Sequence, residues 1–188
     1  MEVIRLQNGN AEKYLSPRIK SNSGFTLIEI IVVLTIIGII MGMTVPAMRN
    51  FLQRQQLSSQ SQDFFTAVNL ARSDAIRRGK RVTICQSPDS ATCTVLGNWD
   101  QGWIVFADPN NNATVDAGEE LILVHQALSG GSRMSSDDAA VKTHITFNNL
   151  GAPSGIGGTI TLCNPQRRID IILSSTGRLR TTEGTACP

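Results

Sequence analysis

Hydrophobic patterning divides the chain into three stretches. Residues 1–24 are polar, with Gly, Asn, Ser and Pro scattered among them and no helical or strand period, so they read as a flexible leader. At Phe25 the composition changes. As far as Met48 the only charged side chain is Glu29. As a helix this run, 25–48, covers ~36 Å at ~1.5 Å per residue, enough for a hydrocarbon core of ~30 Å. Past Pro46 the apolar positions become periodic. Leu57, Phe64, Phe65, Val68, Ala71, Ala75 and Ile76 recur near three and four apart, with Gln, Ser, Asp and Arg between them. That period predicts an amphipathic continuation of the same helix over 49–79. Arg77 and Arg78 suit a helix C-terminus, and Gly79 suits the position after it.

From Lys80 onward the period is two. Short apolar or alternating runs fall at 81–86, 102–107, 120–125, 143–147, 159–163, 169–174 and 178–182, separated by Gly, Asn, Asp, Ser and Pro clusters. Around seven strands are predicted. The expected fold class is therefore α+β. A long N-terminal helix, transmembrane and then amphipathic, packs on a C-terminal antiparallel β domain (80–188) of two small sheets.

The net charge of +2 on 188 residues says little, but its distribution says more. Arg5, Lys13, Arg18 and Lys20 precede the apolar run. Arg18 and Lys20 stand directly before the span, and by the positive-inside rule the N-terminus stays cytoplasmic and the rest of the chain lies outside. Further on, Arg72, Arg77, Arg78, Lys80 and Arg81 crowd one stretch, and Arg167, Arg168, Arg178 and Arg180 another. Between them lies an acidic middle that includes Asp100, Asp108, Asp116, Glu119, Glu120, Asp137 and Asp138. Segregation of this kind allows local binding of a polyanion; it also describes an ordinary solvated surface.

Four cysteines, Cys85, Cys93, Cys163 and Cys187, contain no Cys-x-x-Cys pair, and His125 and His144 are not spaced as zinc partners. An even count behind a membrane segment suggests disulfides in an oxidising compartment. Three connectivities are open, and buried free thiols are a fourth reading. Nearness in sequence favours Cys85–Cys93 and Cys163–Cys187.

The apolar run has three readings. A secretory signal peptide has a shorter apolar core followed by a small-x-small cleavage site. An ordinary membrane anchor would not hold an unpaired glutamate at the fifth position of its apolar run, where a carboxylate is costly and functional by default. The third reading rests on the string Gly24-Phe25-Thr26-Leu27-Ile28-Glu29, which resembles the prepilin processing motif of type IV pilins and type II secretion pseudopilins. The resemblance implies cleavage by prepilin peptidase between Gly24 and Phe25, and N-methylation of Phe25. It also implies that Glu29 neutralises the N-terminal amine of a neighbouring subunit in a filament. Pro46 stands where pilin helices often carry a helix-loosening proline. The leader is longer than is usual in that family, and Ser23 takes the place of a basic residue before Gly24.

The C-terminal part is similar to the FimT/GspH branch, closest to FimT. The resemblance is carried by Ala71-Arg72-Ser73-Asp74-Ala75, by Arg81-Val82-Thr83-Ile84-Cys85, by Trp99-Asp100-Gln101-Gly102-Trp103-Ile104-Val105-Phe106 with the Asp/Asn-rich loop after it, and by Ser175-Thr176-Gly177-Arg178-Leu179-Arg180. Gly177-Arg178-Leu179-Arg180 resembles the Gly-Arg-x-Arg motif of FimT proteins, which bind DNA in natural transformation. On an extended strand Arg178 and Arg180 would share a face about 7 Å apart, each able to hold a backbone phosphate. Gly177 would let the chain turn or let a phosphate approach. Arg167 and Arg168 would extend the patch if the fold brought them near. A Cys163–Cys187 bond would hold the tail against the domain. The plainer reading is that these are solvated charges on an edge strand, where they discourage aggregation.

The partners this implies are prepilin peptidase, other pilins or pseudopilins, double-stranded DNA and inner-membrane lipid. The expected location is the bacterial inner membrane, single-pass, with the β domain periplasmic. The second functional expectation is a type II secretion pseudopilin acting in pseudopilus tip assembly. No cofactor is expected. Neither histidine has a recognisable catalytic partner, and no serine lies in a nucleophile motif, which argues against an enzyme. Asp108, Asn110, Asn112, Thr114, Asp116 and Glu119 fall at the ligand positions of an EF-hand-type calcium loop. Ala113 stands where its sharp turn wants glycine, and the flanks read as strands. A solvated Asn-rich turn is the competing reading.

Overall fold

The structure is a computed structural model that describes residues 24–185 and Cys187. The leader, apart from Gly24, lies outside the described residues. The chain divides into two compact units, 1–42 and 43–188. One helix, α1 (Leu27–Arg78), is assigned from the first unit into the second. Eight strands follow: β1 (Val82–Gln86), β2 (Trp103–Ala107), β3 (Leu121–His125), β4 (Arg133–Ser135), β5 (His144–Phe147), β6 (Gly157–Asn164), β7 (Arg167–Ser174) and β8 (Leu179–Gly184). A 3-10 turn, Trp99–Gln101, precedes β2.

In the first unit, α1 starts at a cap. The Glu29 N–H donates to Thr26 Oγ1 at 3.3 Å, and the Thr26 carbonyl accepts from the Ile30 N–H. Thr26-x-x-Glu29 thus supplies one arm of a capping box, and the Glu29 charge lies in the first turn, where the helix dipole favours an anion. From Phe25 to Met41 every side chain is exposed, and nearly all are apolar. Among the described residues no helix is long and apolar enough to cross a membrane. The span expected over 25–48 includes Met43, Pro46 and Ala47, whose side chains lie outside the described set.

The second unit holds the core. Its two sheets have strand orders β3-β2-β1-β5 and β4-β6-β7-β8, and every strand pairing is antiparallel. The α1 residues Leu57, Phe64, Ala67, Val68, Ala71 and Ala75 are buried in one cluster with side chains from both sheets. Phe64 sits edge-on to Trp99 and to Trp103, at 5.1 and 5.2 Å between ring centroids. The Trp99 indole donates to the Val141 carbonyl at 3.1 Å. The tryptophans of the Trp-Asp-Gln-Gly-Trp string are therefore core anchors, positioned by the turn between them. Two positions of the expected helix stripe are not in the core: Phe65 is half-buried and Ile76 is exposed. Each follows a core residue by one step, or ~100° around the helix, and so points off the packed face. Gly79, at φ +65°, closes the helix.

Cys85 is bonded to Cys93, and Cys163 to Cys187, the pairing that nearness in sequence favours. No described cysteine is free.

Candidate functional site

β8 is the edge of its sheet, joined to β7 by a turn at 174–178. Register pairs Leu179 with Leu173 and Arg180 with Ile172. Leu179 packs on the core, while Arg178 and Arg180 are exposed. This is the alternation expected of a strand with one buried face. The Ser174 hydroxyl accepts from the Arg178 N–H at 3.0 Å, and the Gly177 N–H donates to the Ser174 carbonyl at 2.9 Å.

Gly177 itself is buried, at φ +76°. A Cβ there would lie 2.7 Å from the Gly151 carbonyl oxygen. Both the backbone conformation and the space require glycine. Its role is the turn; the other expectation, that a phosphate approaches this backbone, does not suit a buried residue. Arg72, from α1, holds the turn in place. Its Nε donates to the Gly151 carbonyl at 3.0 Å and its Nη1 to the Gly177 carbonyl at 3.1 Å.

Four arginines of the two basic stretches differ from Arg178 and Arg180 in what they contact. Arg77 and Arg78 both pair with Asp74, whose side chain is only 3% exposed. Arg78 also pairs with Glu120, and its hydrogen bonds hold that carboxyl below the usual range. Arg167 pairs with Glu183. Arg168 pairs with Asp170 through contacts of 2.6–3.0 Å, which lower the Asp170 carboxyl and raise the Arg168 guanidinium. Among the described residues no side chain pairs with the guanidinium of Arg178 or Arg180.

Nor does the fold bring Arg167 and Arg168 to the Arg178 end. Arg168 stands opposite Gly184, whereas Arg180 stands opposite Ile172. Four positions along β7 separate them, roughly 13 Å. The joint patch expected from sequence does not form.

The Asp/Asn-rich loop is closed by its own hydrogen bonds. Asp108 is fully buried. Its carboxylate accepts from Thr83 Oγ1 and from the Asn112 and Ala113 N–H groups. Asn110 and Asn112 donate their side-chain amides to Asp116, and Glu119 accepts from the Asp116 N–H. Among the described residues no group of three or more His, Cys, Asp or Glu side chains is placed to hold a metal ion.

A capped, apolar N-terminal helix followed by an antiparallel β domain defines the class of type IV pilin-like filament subunits. Residues 60–177 match the family described as type II transport protein GspH, and residues 19–45 match the prokaryotic N-terminal methylation motif. The chain belongs to this GspH family of minor pilins and pseudopilins. The pilin-like protein PilA1 of Thermus thermophilus is 28% identical over 161 residues, covering 84% of this chain and 96% of that one. The fold is similar to that of the type IV minor pilin FimU of Pseudomonas aeruginosa (18% identity, TM-score 0.54), covering 73% of this chain and 99% of FimU. The minor pseudopilin EpsH of the Vibrio cholerae type 2 secretion system is 11% identical with a TM-score of 0.48, covering 68% of this chain and 96% of EpsH. Proteins of this family are structural subunits, not enzymes, and are assembled into filaments at the inner membrane. The methylation motif marks a precursor that prepilin peptidase processes and that associates with other pilins.

Proposed function

We propose that this minor pilin binds double-stranded DNA non-specifically through Arg178 and Arg180, and serves DNA uptake as part of a filament. The observation that carries the reading is the contrast among arginines. Arg77, Arg78, Arg167 and Arg168 are neutralised by carboxylates, while Arg178, in the turn before β8, and Arg180, on that edge strand, are exposed and have no carboxylate partner among the described residues. Exposed guanidiniums on one face suit backbone phosphates and carry no sequence readout. The test is titration of labelled duplex with the full chain in neutral detergent across a salt series. Micromolar binding that weakens steeply with salt, indifferent to sequence, is the expected result. No binding at low salt would sink the reading.

The membrane part of the proposal is single-pass anchoring by 25–48 with the β domain periplasmic. It is supported by the exposed apolar surface of Phe25–Met41, which a water-soluble monomer does not leave uncovered. Cleavage follows Gly24, Phe25 is methylated, and Glu29 meets the amine of a neighbouring Phe25. Both charges would otherwise lie unpaired in an apolar bundle. The second reading, a pseudopilin acting in protein export, is favoured by the description of the matched family as a type II transport protein. Deletion of the gene separates the two: loss of transformation supports the first, loss of protein export the second.

A further inference from the structure

Arg178, in the turn before β8, and Arg180, on it, do not face open solvent on all sides. An open groove runs between α1 and the β7–β8 hairpin. Asn69 and Arg72 line it from the helix, and Ser174, Thr176, Arg178 and Arg180 from the hairpin. We propose that this groove seats a phosphodiester unit of the bound nucleic acid, with Arg72 as a third arginine of the site. The proposal rests on the DNA-binding reading above and assigns that reading a location.

Three features carry it. Arg72 is half-buried and makes no ion pair among the described residues. Its Nε and Nη1 donate to neutral carbonyls, and its Nη2 has no partner among the described residues. A partly desolvated guanidinium without a counter-charge is costly, and an anion in the groove would relieve that cost. Second, no acidic side chain lines the groove, so three positive charges and two hydroxyls face the same space. A second groove near Arg54 and Arg167 makes the contrast, because it contains its own carboxylate, Glu183, already paired with Arg167. Third, the arginine-bearing turn is already bonded to the helix. The two carbonyls held by Arg72 belong to turns 79 and 105 residues away in sequence, so the Arg178 turn is fixed to the helix before any ligand arrives. Such preorganisation spares a ligand the ordering of a long arginine-bearing loop.

Asn69 offers a clean test. It is exposed, lies within the groove, and its amide bonds only to the Phe65 carbonyl of its own helix. Charge can therefore be placed in the groove without touching the turn or the core. The full chain in neutral detergent is titrated with a labelled duplex of mixed sequence as Asn69→Lys, Asn69→Glu, wild type and the Arg178→Gln/Arg180→Gln double variant. Thermal unfolding checks each fold. Asn69→Lys is expected to tighten binding and Asn69→Glu to weaken it, each by roughly three- to tenfold at low salt, the size of one phosphate contact. If neither Asn69 variant moves the affinity while the double variant has lost it, the groove is wrong and the DNA reading stands. If the double variant binds as well as wild type, the DNA reading falls and takes the groove with it.

Discussion

Arg72 Nη1 lies 3.1 Å from the carbonyl oxygen of Gly177, the residue that immediately precedes Arg178. Through this bond, and its neighbour to Gly151, the helix sets the height and direction of the β7–β8 turn. Hydrogen bonds from a charged donor contribute roughly 1.5–3 kcal/mol each, and a buried carbonyl left without its donor adds a penalty. Arg72→Ala is therefore expected to lower stability by about 3 kcal/mol or more. Arg72→Lys should recover only part of this, because an ammonium lacks the planar fork that reaches two carbonyls. Gly177→Ala should cost a similar amount, from a positive φ and a Cβ placed against the Gly151 oxygen. Thermal unfolding of the full chain measures all three. Wild-type stability in Gly177→Ala would show that the turn has other ways to close.

Much of the fold is readable from the period of its apolar residues. The helix and its stop at Gly79, and seven of the eight strands, follow from periods near 3.6 and 2 with turn residues between them. β4 escapes this reading because it is three residues long and buries one side chain, Met134. Nothing periodic can be seen in so short a run. Ala67, by contrast, is in the core and was outside the expected stripe, since an alanine carries little hydrophobic signal beside Phe64 and Phe65. The site is harder to read. Alternation places Arg178 and Arg180 on one face, but sequence does not say which arginines have partners. Asp74 with Arg77 and Arg78 is visible as helical spacing. Arg72 stands out in sequence only as part of a basic stretch and of the Ala71–Ala75 string; its contacts have no local signal, because its partners are backbone atoms of distant turns. The Thr26–Glu29 cap follows a Thr-x-x-Glu pattern that lies within the string carrying the prepilin resemblance.

The charge of Glu29 can be separated from the shape of its side chain. Glu29→Gln keeps the shape of the side chain but removes the charge, whereas Glu29→Val removes both, and the Thr26 cap on the Glu29 N–H remains in each. If charge neutralisation of the neighbouring amine fixes filament register, both variants should be processed to Phe25 and neither should enter filaments. Should Glu29→Gln assemble normally, the charge of Glu29 does not fix the register. Gly24→Val is expected to remain uncut, and mass spectrometry of the purified chain reads the outcome directly.

The Cys163–Cys187 bond lies at the other end of β8 from Arg178, since Cys163 and Gly184 both stand opposite Arg168. The bond closes a loop with a sequence separation of 24, which the chain-entropy account values at about 3 kcal/mol. Replacing both cysteines by serine should therefore lower the melting temperature by several degrees. Duplex affinity should change by less than about twofold, because Arg72 continues to hold the Arg178 turn. A large loss of affinity with the domain still folded would mean that the tail itself touches DNA.

Asp170 supplies a pH dependence of known sign. The hydrogen bonds from Arg168 are the largest influence on its carboxyl; burial opposes them, and Thr161 adds to the lowering from 3.8. A carboxylate whose folded pKa is depressed contributes stability that is fully present above its unfolded pKa. That contribution is lost as pH falls through the lower folded value. The loss belongs below about pH 4. Asp170→Asn should be less stable than wild type at neutral pH and should lose less on acidification through this window. Parallel stability curves for the two proteins between neutral and acid pH would show that the ion pair contributes nothing.

The unpaired arginines give the sharpest expectation. Each phosphate contact on duplex DNA contributes about −0.9 to the slope of log affinity against log salt. Arg178→Gln with Arg180→Gln should remove most binding and flatten the slope by roughly two contacts, with thermal stability close to wild type because both side chains are exposed. The control is Arg167→Gln with Arg168→Gln, an equal loss of charge at the far end of β7. These two are already paired with Glu183 and Asp170. Removing them strands two carboxylates, so stability should fall while the salt slope stays near the wild-type value. Net charge alone would make the two double variants lose affinity equally. A specific interface on β8 makes them differ, with the Arg178/Arg180 variant the weaker binder and the Arg167/Arg168 variant the less stable fold. Equal losses of affinity would place the effect in the overall field of the domain and not in the strand edge.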